Sequence, residues 1–415
     1  MDRYNHHLHI IKHIHLNKAL HNKFNDLVIA DTFRLLALSM ISVFIPIFLY
    51  ENIGLSLWAI AWFELTTFII SIFLHYMAIP LTGKIGVKKI MTTSYIVNSF
   101  TCLILYFGIQ LNASLGSFYF IALITIFNAL PLSMYWSAHH IYFIKSTSSK
   151  NGGEKLGILQ SIPLIISIAG PFIGSILIVR YSFREVFLFS TLLLIAASFS
   201  LFFSDDIKIK IKLSWSEILD VKNFKKNSVF FLQGLGYCAT SFIWPMLLFI
   251  SSVHLVLMGF FYLLSNLFSA LMVYFGGKKV DQDGSSQIIK IGAFGHSLSM
   301  ILRAISTTFV FMATFQSMGG VFGGLLHVAI DSSFFKSSHK DIGNAIMNRE
   351  FYMHIGRITT IVSFMLALLI FKNNLIALIF VLLFAGGGTF LLLLIVKDRR
   401  SFMKQGLFDN FKFLK

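Results

Sequence analysis

Charged residues are scarce in this chain of 415 residues: Lys, Arg, Asp and Glu together make up 13% of it, while 56% of the residues are hydrophobic. Soluble domains contain about 25% charged residues, so a water-soluble globular protein is excluded. The only two cysteines, Cys102 and Cys238, lie far apart in apolar segments. This excludes a disulfide framework and a cysteine-rich metal site. The lipid bilayer is therefore the solvent for most of the chain.

Sequence motifs of enzymes and of ATP-driven pumps are also missing. The chain has no Gly-x-x-x-x-Gly-Lys-Ser/Thr loop to bind phosphates, no Gly-x-Ser-x-Gly nucleophile and no His-Glu-x-x-His zinc motif. We therefore expect that the protein is not an enzyme and that it needs neither a cofactor nor a bound metal. Outside the apolar segments no basic patch carries interleaved aromatic residues, so nucleic acid is not an expected partner in spite of the net charge of +16.

The chain does contain a series of apolar segments of about 20 residues or more, the length that an α-helix needs to cross a bilayer. We predict twelve such segments, at approximately 27–49, 57–79, 90–110, 117–143, 157–179, 185–204, 228–250, 255–276, 287–308, 310–334, 343–371 and 374–396. The segments are too long for barrel strands and do not alternate in polarity. The sequence therefore predicts an all-α integral membrane protein.

Basic residues are concentrated in alternate connections between these segments. Residues 84–89, 145–155 and the long connection 205–226 are rich in Lys, whereas 50–56 carry only Glu51 as a charged residue and 111–116 carry none. Loops of membrane proteins that are rich in Lys and Arg stay on the cytoplasmic side of the membrane. We therefore predict that both termini and the central connection are cytoplasmic, in a protein of the cytoplasmic membrane.

The same pattern divides the chain into five parts. We predict a cytoplasmic, amphipathic, His-rich arm over residues 1–26, a six-helix bundle over 27–204, a cytoplasmic central loop over 205–226, a second six-helix bundle over 227–396 and a cytoplasmic tail over 397–415. The arm is either an interfacial helix or a metal-binding tract. Its histidines are His6, His7, His9, His13, His15 and His21.

The two predicted bundles resemble each other in sequence. A short charged loop follows the second segment of each half, at 83–89 and at 277–284. Gly157 and Gly170 of the fifth segment correspond in spacing to Gly343 and Gly356 of the eleventh. Repeats with an even number of spans have parallel orientation, and parallel repeats related by an axis along the membrane normal describe one transporter architecture.

The charged loops resemble those of the major facilitator superfamily. In that family the loop between the second and third helices carries Gly, three residues, Asp, two residues and Gly before basic residues, and Gly277, Asp281 and Gly284 fit this pattern. The first loop keeps Gly86, Lys88 and Lys89, but Gly83 replaces the Asp from which the family builds a charge latch between the halves, and Ile79 replaces the first Gly. The resemblance implies two six-helix bundles related by a pseudo-twofold axis, gating loops at these positions, alternating access and a monomer.

Ionisable and polar groups inside the apolar segments are the candidate functional residues, because each is costly to bury in a membrane. Asp31 and Arg34 share a helix face, as do His327 and Asp331, and so do Glu350, His354 and Arg357. The family resemblance implies that the first, fourth, seventh and tenth helices line the central cavity. The complete set of candidates is Asp31, Arg34, Glu64, Tyr135, Gln233, Tyr237, Gln316, His327, Asp331, Arg349, Glu350, His354 and Arg357.

Positive charge exceeds negative charge around Glu350, and arginine recognises carboxylates and phosphates in a bidentate way. We therefore expect a secondary transporter of a small organic anion, coupled to protons through buried Asp, Glu and His. Multidrug or siderophore-type efflux is an alternative, because the Gly-Pro stretch 167–174 resembles a fifth-helix motif of exporters. Export of a metal ion through Asp31, Cys238 and His354 is a further alternative. For every candidate, a purely structural ion pair or hydrogen bond is the competing interpretation.

Overall fold

A computed structural model of the protein describes residues 27–146, 162–202, 206–220 and 223–396. The predicted arm and tail, 1–26 and 397–415, lie outside these residues. All regular secondary structure in the described part of the chain is helical. The prediction of an all-α protein is thus confirmed.

Twelve long helices follow one another along the described residues, one for each predicted segment. They are α1 (Leu27–Glu51), α2 (Leu57–Ile85), α3 (Val87–Tyr106), α4 (Ser117–Ser146), α5 (Ile162–Arg180), α6 (Phe183–Phe202), α7 (Phe224–Ile250), α8 (Leu255–Asp283), α9 (Ser285–Ala304), α10 (Phe309–Ser337), α11 (Ile342–Phe371) and α12 (Asn374–Ile395). Inside α7 the residues Ala239–Ile243 form a π-helical turn.

Ten of these helices are long and apolar enough to cross a membrane, and α3 qualifies together with a short helix, Gly108–Leu115, that follows it at a bend of 73°. Helix α9 is more polar than the others. Two of its polar residues, His296 and Arg303, are buried in the protein, where α9 packs against α10 and α12. Its lower hydropathy therefore reflects groups that face other helices rather than lipid.

The two halves have the same helix packing. In the first half α3 packs against α4 and α6, and α2 packs against α4; in the second half α9 packs against α10 and α12, and α8 packs against α10. Between the halves, α2 contacts α11 and α5 contacts α8. A twofold axis exchanges these two contacts with each other. The structure is thus two six-helix bundles, as the repeats in the sequence predict.

The corresponding short loops of the two halves turn at a glycine. Gly86, between α2 and α3, has φ = 121°, and Gly284, between α8 and α9, has φ = 88°. These dihedral angles are strained for residues with a side chain. The backbone geometry of a tight helix-to-helix turn thus explains Gly86 and Gly284, two of the glycines of the predicted gating loops.

The central connection is attached to both halves. Asp206 accepts hydrogen bonds from the backbone N–H groups of Lys88 (2.8 Å) and Lys89 (3.1 Å) in the first turn of α3. At the other end, the backbone N–H of Ser214 donates to Oδ1 of Asn344 in α11 (2.9 Å). A carboxylate at a helix N-terminus satisfies free N–H groups and interacts favourably with the helix dipole. Asp206 therefore provides at α3 an acid that the loop itself lacks.

The two halves touch at both ends of the bundle. At the end opposite the central connection, the rings of Tyr50 in α1 and Phe249 in α7 are 6.1 Å apart. At the end near that connection, the rings of Phe143 in α4 and Phe335 in α10 are 4.4 Å apart. Buried polar residues lie between these two aromatic contacts, where both halves contribute helices.

Candidate functional site

Asp31 in α1 lies in a buried polar group within the first half, together with residues of α3 and α4. Its Oδ1 accepts hydrogen bonds from the hydroxyls of Tyr135 (2.9 Å) and Tyr95 (3.2 Å), and its Oδ2 is 3.3 Å from Nε2 of His139. The side chain of Asp31 is 7% exposed. Among the described residues, two tyrosine hydroxyls and one imidazole thus contact this carboxylate, and no arginine lies within salt-bridge distance of it.

Arg34 lies one turn after Asp31, but it is bound differently from what the spacing suggested. Its guanidinium carbon is 3.4 Å from the ring centroid of Tyr135 and 5.9 Å from that of Trp136. Within the described residues Arg34 forms no salt bridge, so the local ion pair with Asp31 that competed with a functional interpretation is not formed. The guanidinium is instead held by stacking on aromatic faces.

A second polar group is centred on Glu350 in α11 and joins the two halves. Oε1 of Glu350 accepts a hydrogen bond from Nη1 of Arg349 (2.7 Å) and is 3.1 Å from Nε2 of His140 in α4. Oε2 is 3.6 Å from Nε2 of His75 in α2. Arg349 also donates through Nη2 to Oδ1 of Asp331 in α10 (2.8 Å). Four helices therefore contribute to one buried network of charges.

This geometry changes the expected charge balance around Glu350. The sequence predicts that Arg349 and Arg357 together form an excess of positive charge. In the structure Arg349 bridges two carboxylates, Asp331 and Glu350, so its charge is compensated within the protein. The expectation of a free cationic group therefore fails for Arg349, because long-range partners from α10 and α4 are invisible in the spacing along α11.

Arg357, the second arginine of this region, is held by contacts of a different kind. Its guanidinium carbon is 5.5 Å from the ring centroid of Phe68 in α2 and 6.0 Å from that of Tyr237 in α7. Among the described residues it forms no hydrogen bond and no salt bridge. The charge of Arg357 interacts with that of Glu350, which Arg349 also binds, and with that of Glu64, which is half-buried in α2. Arg357 thus lies against aromatic rings of both halves with its hydrogen-bond donors unused.

Aromatic rings and imidazoles extend this region into α10. The rings of Tyr237 and His327 stack in parallel with centroids 4.2 Å apart, and Nε2 of Gln233 is 3.4 Å from Nδ1 of His327. Asp331, one turn further along α10, acts electrostatically on His327. Tyr237, which also faces Arg357, thus connects His327 and Gln233 to this region.

Contacts between rings connect the groups around Asp31 and Glu350. The ring of Trp136 is 5.0 Å from that of Tyr135 and 5.3 Å from that of His140. The ring of His354 is 5.8 Å from that of Phe68, which in turn faces Arg357. A continuous series of polar and aromatic side chains thus runs from α1 across both halves to α10.

Gln316 lies in a separate buried group. Arg303 in α9 donates to the backbone carbonyls of Phe315 (3.2 Å) and Gln316 (3.4 Å), and its guanidinium is 5.5 Å from the ring of Trp244. The side-chain oxygen of Gln316 is buried and has no hydrogen-bond partner among the described residues. The structure therefore associates Gln316 with Arg303 rather than with the Glu350 network.

The charged loops make contacts within their own halves. Asp281 at the end of α8 forms a salt bridge of 2.5 Å with Lys336 at the end of α10, and both helices belong to the second half. In the first half Lys88 is buried with its ammonium 5.6 Å from the ring of Tyr142. Gly83 stands where the family has the Asp of its latch, and the N-terminus of α3 is instead bound by Asp206.

Several residues of these groups are absent from the candidates that the sequence suggested. Histidines His75, His139 and His140 all contact a buried carboxylate. Their signal in the sequence is the one applied to the other candidates, a histidine inside an apolar segment. Tyr95 and Trp136 carried no such signal, because aromatic residues are common throughout a chain with 46 Phe, 13 Tyr and 5 Trp.

Solved structures of transporters are similar to this one. The human organic anion transporter MFSD10 (TETRAN) has a TM-score of 0.65 and 11% sequence identity, over 91% of this chain and 99% of that chain. The nucleoside transporter NupG has a TM-score of 0.61 and 14% identity, over 91% of this chain and 99% of that chain. At these identities the similarity concerns the fold.

Comparison of the sequence itself gives a family. No curated protein matches it, but the family model described as Major Facilitator Superfamily matches residues 27–348. This match covers more than half of the chain, and it agrees with the two six-helix bundles and with the similar transporter structures. The chain therefore belongs to the Major Facilitator Superfamily.

Proposed function

We propose that this protein is a proton-coupled secondary transporter that moves a small organic anion across the cytoplasmic membrane by alternating access. Membership of a transporter family and the multi-pass helical fold support the general activity. In such folds substrate sites lie at the interface of the two repeats, and transport follows from rocking of one bundle against the other. Arg357 and Glu350 of the second half contact residues of the first half, which supports a site at that interface.

The observation that carries the proposal for an anion is the state of two arginines. Arg34 in the first half and Arg357 in the second are each positioned on aromatic rings, and neither forms a salt bridge within the described residues. Guanidinium groups bind carboxylates and phosphates with two parallel hydrogen bonds. An anion that carries an apolar or ring-shaped part fits both the donors and the aromatic faces of Phe68 and Tyr237.

Proton coupling rests on Asp31 and Glu64. Neither carboxylate has an arginine within salt-bridge distance among the described residues, in contrast to Asp331 and Glu350. Asp31 is hydrogen-bonded to two tyrosines and lies 3.3 Å from His139. Buried acids with neighbouring histidines form proton pathways in transporters, which supports Asp31 as a coupling residue.

The remaining features of the proposal are those that the sequence suggests. Both termini are cytoplasmic by the distribution of Lys and Arg in the loops, the protein acts as a monomer, and its partners are the bilayer, the solute and protons. No reaction on the solute is needed, so the protein is not an enzyme. One of the similar structures is named as an organic anion transporter, and this agrees with the proposed substrate class.

Efflux is the competing proposal, and the structure offers a different explanation for the Gly-Pro stretch that suggested it. A Cβ atom on Gly174 in α5 would lie 2.3 Å from the backbone oxygen of Met40, and one on Gly170 would lie 1.9 Å from Oγ of Ser39. These glycines therefore allow α5 to pack closely on α1. Close packing is sufficient to explain them in either direction of transport.

The first experiment is a thermal-shift screen of the full-length protein in detergent against organic anions, nucleosides and cationic drugs. A ligand at a hundred times its Kd adds about 2.7 kcal/mol to the free energy of unfolding. We expect an organic anion to raise the Tm of the wild type and not of Arg357→Gln. Arg184→Gln is the matched control, because Arg184 also faces an aromatic ring, 4.5 Å from that of Tyr106, but lies outside the groups around Asp31 and Glu350.

Transport is then measured with the anion so identified, in proteoliposomes with an imposed pH gradient. Uptake that follows the pH gradient, and that is lost in Arg357→Gln but kept in Arg184→Gln, is the expected result. A Tm increase only with cationic drugs would instead favour efflux of cations. Equal anion effects in wild type and Arg357→Gln would remove Arg357 from the binding site.

A further inference from the structure

The structure brings together three metal-ligating side chains that are far apart in sequence. His75 of α2 and Glu350 and His354 of α11 each have a ligand atom within 4.8 Å of those of the other two. All three residues are at most 1% exposed. Two imidazoles and one carboxylate form a ligand set that divalent transition metals bind.

The ligand atoms of this cluster are not used by other contacts. Nε2 of His75 and both ring nitrogens of His354 have no hydrogen-bond partner in the part of the chain that the structure describes. Buried polar atoms are normally hydrogen-bonded, and each exception needs an explanation. A metal ion that binds all three side chains gives a partner to Nε2 of His75 and to one of the two ring nitrogens of His354.

The carboxylate is oriented for such a ligand. Oε1 of Glu350 accepts the hydrogen bond of Arg349 and faces His140, whereas Oε2 faces His75 at 3.6 Å. One oxygen of Glu350 is therefore engaged in the charge network, and the other is directed towards the unpaired imidazoles.

His75 has the outer partner that metal-binding histidines usually have. Its Nδ1 is 2.8 Å from Oγ of Ser137 in α4. When Nδ1 donates its proton to this hydroxyl, Nε2 carries the lone pair and is directed towards Glu350. A hydrogen bond to the second ring nitrogen fixes both the tautomer and the orientation of a ligating histidine.

We propose that His75, Glu350 and His354 form a binding site for a divalent transition metal such as Zn²⁺, which joins α2 of the first half to α11 of the second. Zn–N and Zn–O bonds of about 2.0–2.2 Å place tetrahedral ligands about 3.3–3.6 Å apart. Oε2 of Glu350 and Nε2 of His75 already have this spacing, at 3.6 Å, and the other ligand pairs lie within 4.8 Å, so they need to approach only slightly. A fourth position stays open for water or an anion. Because the ligands come from both halves, the metal holds the bundles in one arrangement.

The charges around the site predict opposite effects of one substitution on metal binding and on anion binding. The groups that act on His354 are Arg357, His75 and Glu350, and among these Arg357 is the permanent cation. Its repulsion weakens the binding of a metal ion. Arg357→Gln should therefore strengthen metal binding, whereas the proposed function requires the same substitution to weaken binding of an anion. Failure of one proposal is thereby distinguishable from failure of the other.

The test uses the full-length protein in which His6, His7, His9, His13, His15 and His21 are replaced by Gln, so that the arm does not bind metal. Zn²⁺ binding is measured by calorimetry after treatment with a chelator, and Co²⁺ is used as a spectroscopic probe of ligand geometry. We expect one Zn²⁺ per chain, no response to Mg²⁺, and absorption bands of four-coordinate Co²⁺. Absence of Zn²⁺ binding in this protein would overturn the proposal.

Variants assign the binding to the site. His354→Gln and His75→Gln should lose Zn²⁺ binding, and Ser137→Ala should weaken it by about 10- to 100-fold. His139→Gln is the matched control, because His139 is also buried and lies near a carboxylate, Asp31, outside the cluster. Hydrogen exchange adds a readout of the link between the halves: Zn²⁺ should slow exchange in α2 and α11 together. Unchanged binding in His354→Gln and His75→Gln would overturn the assignment.

Discussion

Nε2 of His140 lies 3.1 Å from Oε1 of Glu350, so that a residue of α4 in the first half directly contacts a residue of α11 in the second. The contact is fully buried and includes Arg349, whose Nη1 is 2.7 Å from each of the two atoms. In the proposed alternating access, rocking of the bundles must either break this contact or move both residues together. The network around Glu350 is therefore part of the arrangement of the halves as well as of the candidate site.

Arg349 should matter for stability more than Arg357 does. Arg349→Leu leaves Asp331 and Glu350 as two buried carboxylates without their shared guanidinium, and breaking a buried ion pair by removing one partner costs about 3–5 kcal/mol. Arg357→Leu removes no salt bridge of the described residues and should lower the free energy of unfolding much less. Chemical denaturation in detergent, followed by tryptophan fluorescence, compares the two. Equal losses would contradict the assignment of Arg349 to structure and Arg357 to ligand.

Asp31→Asn should separate exchange from proton-driven accumulation. The asparagine oxygen still accepts the hydrogen bonds of Tyr95 and Tyr135, so the fold is retained, but the side chain no longer binds and releases a proton. We expect exchange of solute across proteoliposomes to continue while accumulation against a gradient disappears. Glu64→Gln is the comparison. Accumulation that persists in Asp31→Asn and disappears in Glu64→Gln would assign coupling to Glu64 instead.

Gly234→Ala tests the packing of α7 on α11. A Cβ atom at this position would lie 2.0 Å from the backbone oxygen of Met353, so the two helices would have to move apart, and overpacking costs about 1–3 kcal/mol. Gly387→Ala in α12 is the control, since no atom lies within 4 Å of its added Cβ. The control should gain about 0.5–1 kcal/mol from reduced backbone entropy. Thermal unfolding that is equally affected by both would contradict the close approach.

The contact between the central connection and α11 should depend on pH through Glu217. A hydrogen bond to Asp341 and the repulsion between the two carboxylates raise the pKa of Glu217 above its ordinary value. The folded state then binds more protons than the unfolded state, so this contact is weakened as the pH rises through the raised pKa and is strengthened below it.

Glu217→Gln removes the repulsion and can still accept the hydrogen bond that Asn344 donates to Glu217. We expect this variant to have a higher Tm than the wild type at about pH 8, with a difference that shrinks as the solution is acidified towards the ordinary range of carboxyl groups. Asp341→Asn removes the other carboxylate of the pair and should likewise raise the Tm at about pH 8. A difference that grows on acidification would show that the two carboxylates do not interact in this way.

The fold could be predicted from the sequence to a large extent, because the bilayer imposes a simple rule. Each apolar segment had to become a helix, and even α9, with Arg303 in its last turn, was recognised. The turn between α8 and α9 also followed from its sequence, since Gly284 takes a dihedral angle that only glycine adopts readily. What sequence spacing did not reveal is the bend of 73° between Tyr106 and Gly108.

The candidate site was predictable only where its residues share one helix. The spacing of Glu350, His354 and Arg357 correctly placed them on one side of α11. Their partners come from elsewhere: Glu350 contacts His140 across 210 positions of the chain. No periodicity within a helix contains such pairings, because they depend on how the two bundles meet. For the same reason the compensation of Arg349 by Asp331 could not be anticipated.

Because of Asp206, the first half depends on a residue of the central connection. The second half contains Asp281 in its own loop, whereas the α3 N-terminus of the first half is bound by an acid located beyond the last helix of that half. The two halves are therefore not equivalent in how the turn between their second and third helices is held. When the two halves are expressed as separate pieces, they should reassemble best if the break comes after residue 206. The first piece then keeps Asp206, whose carboxylate binds the N-terminus of α3.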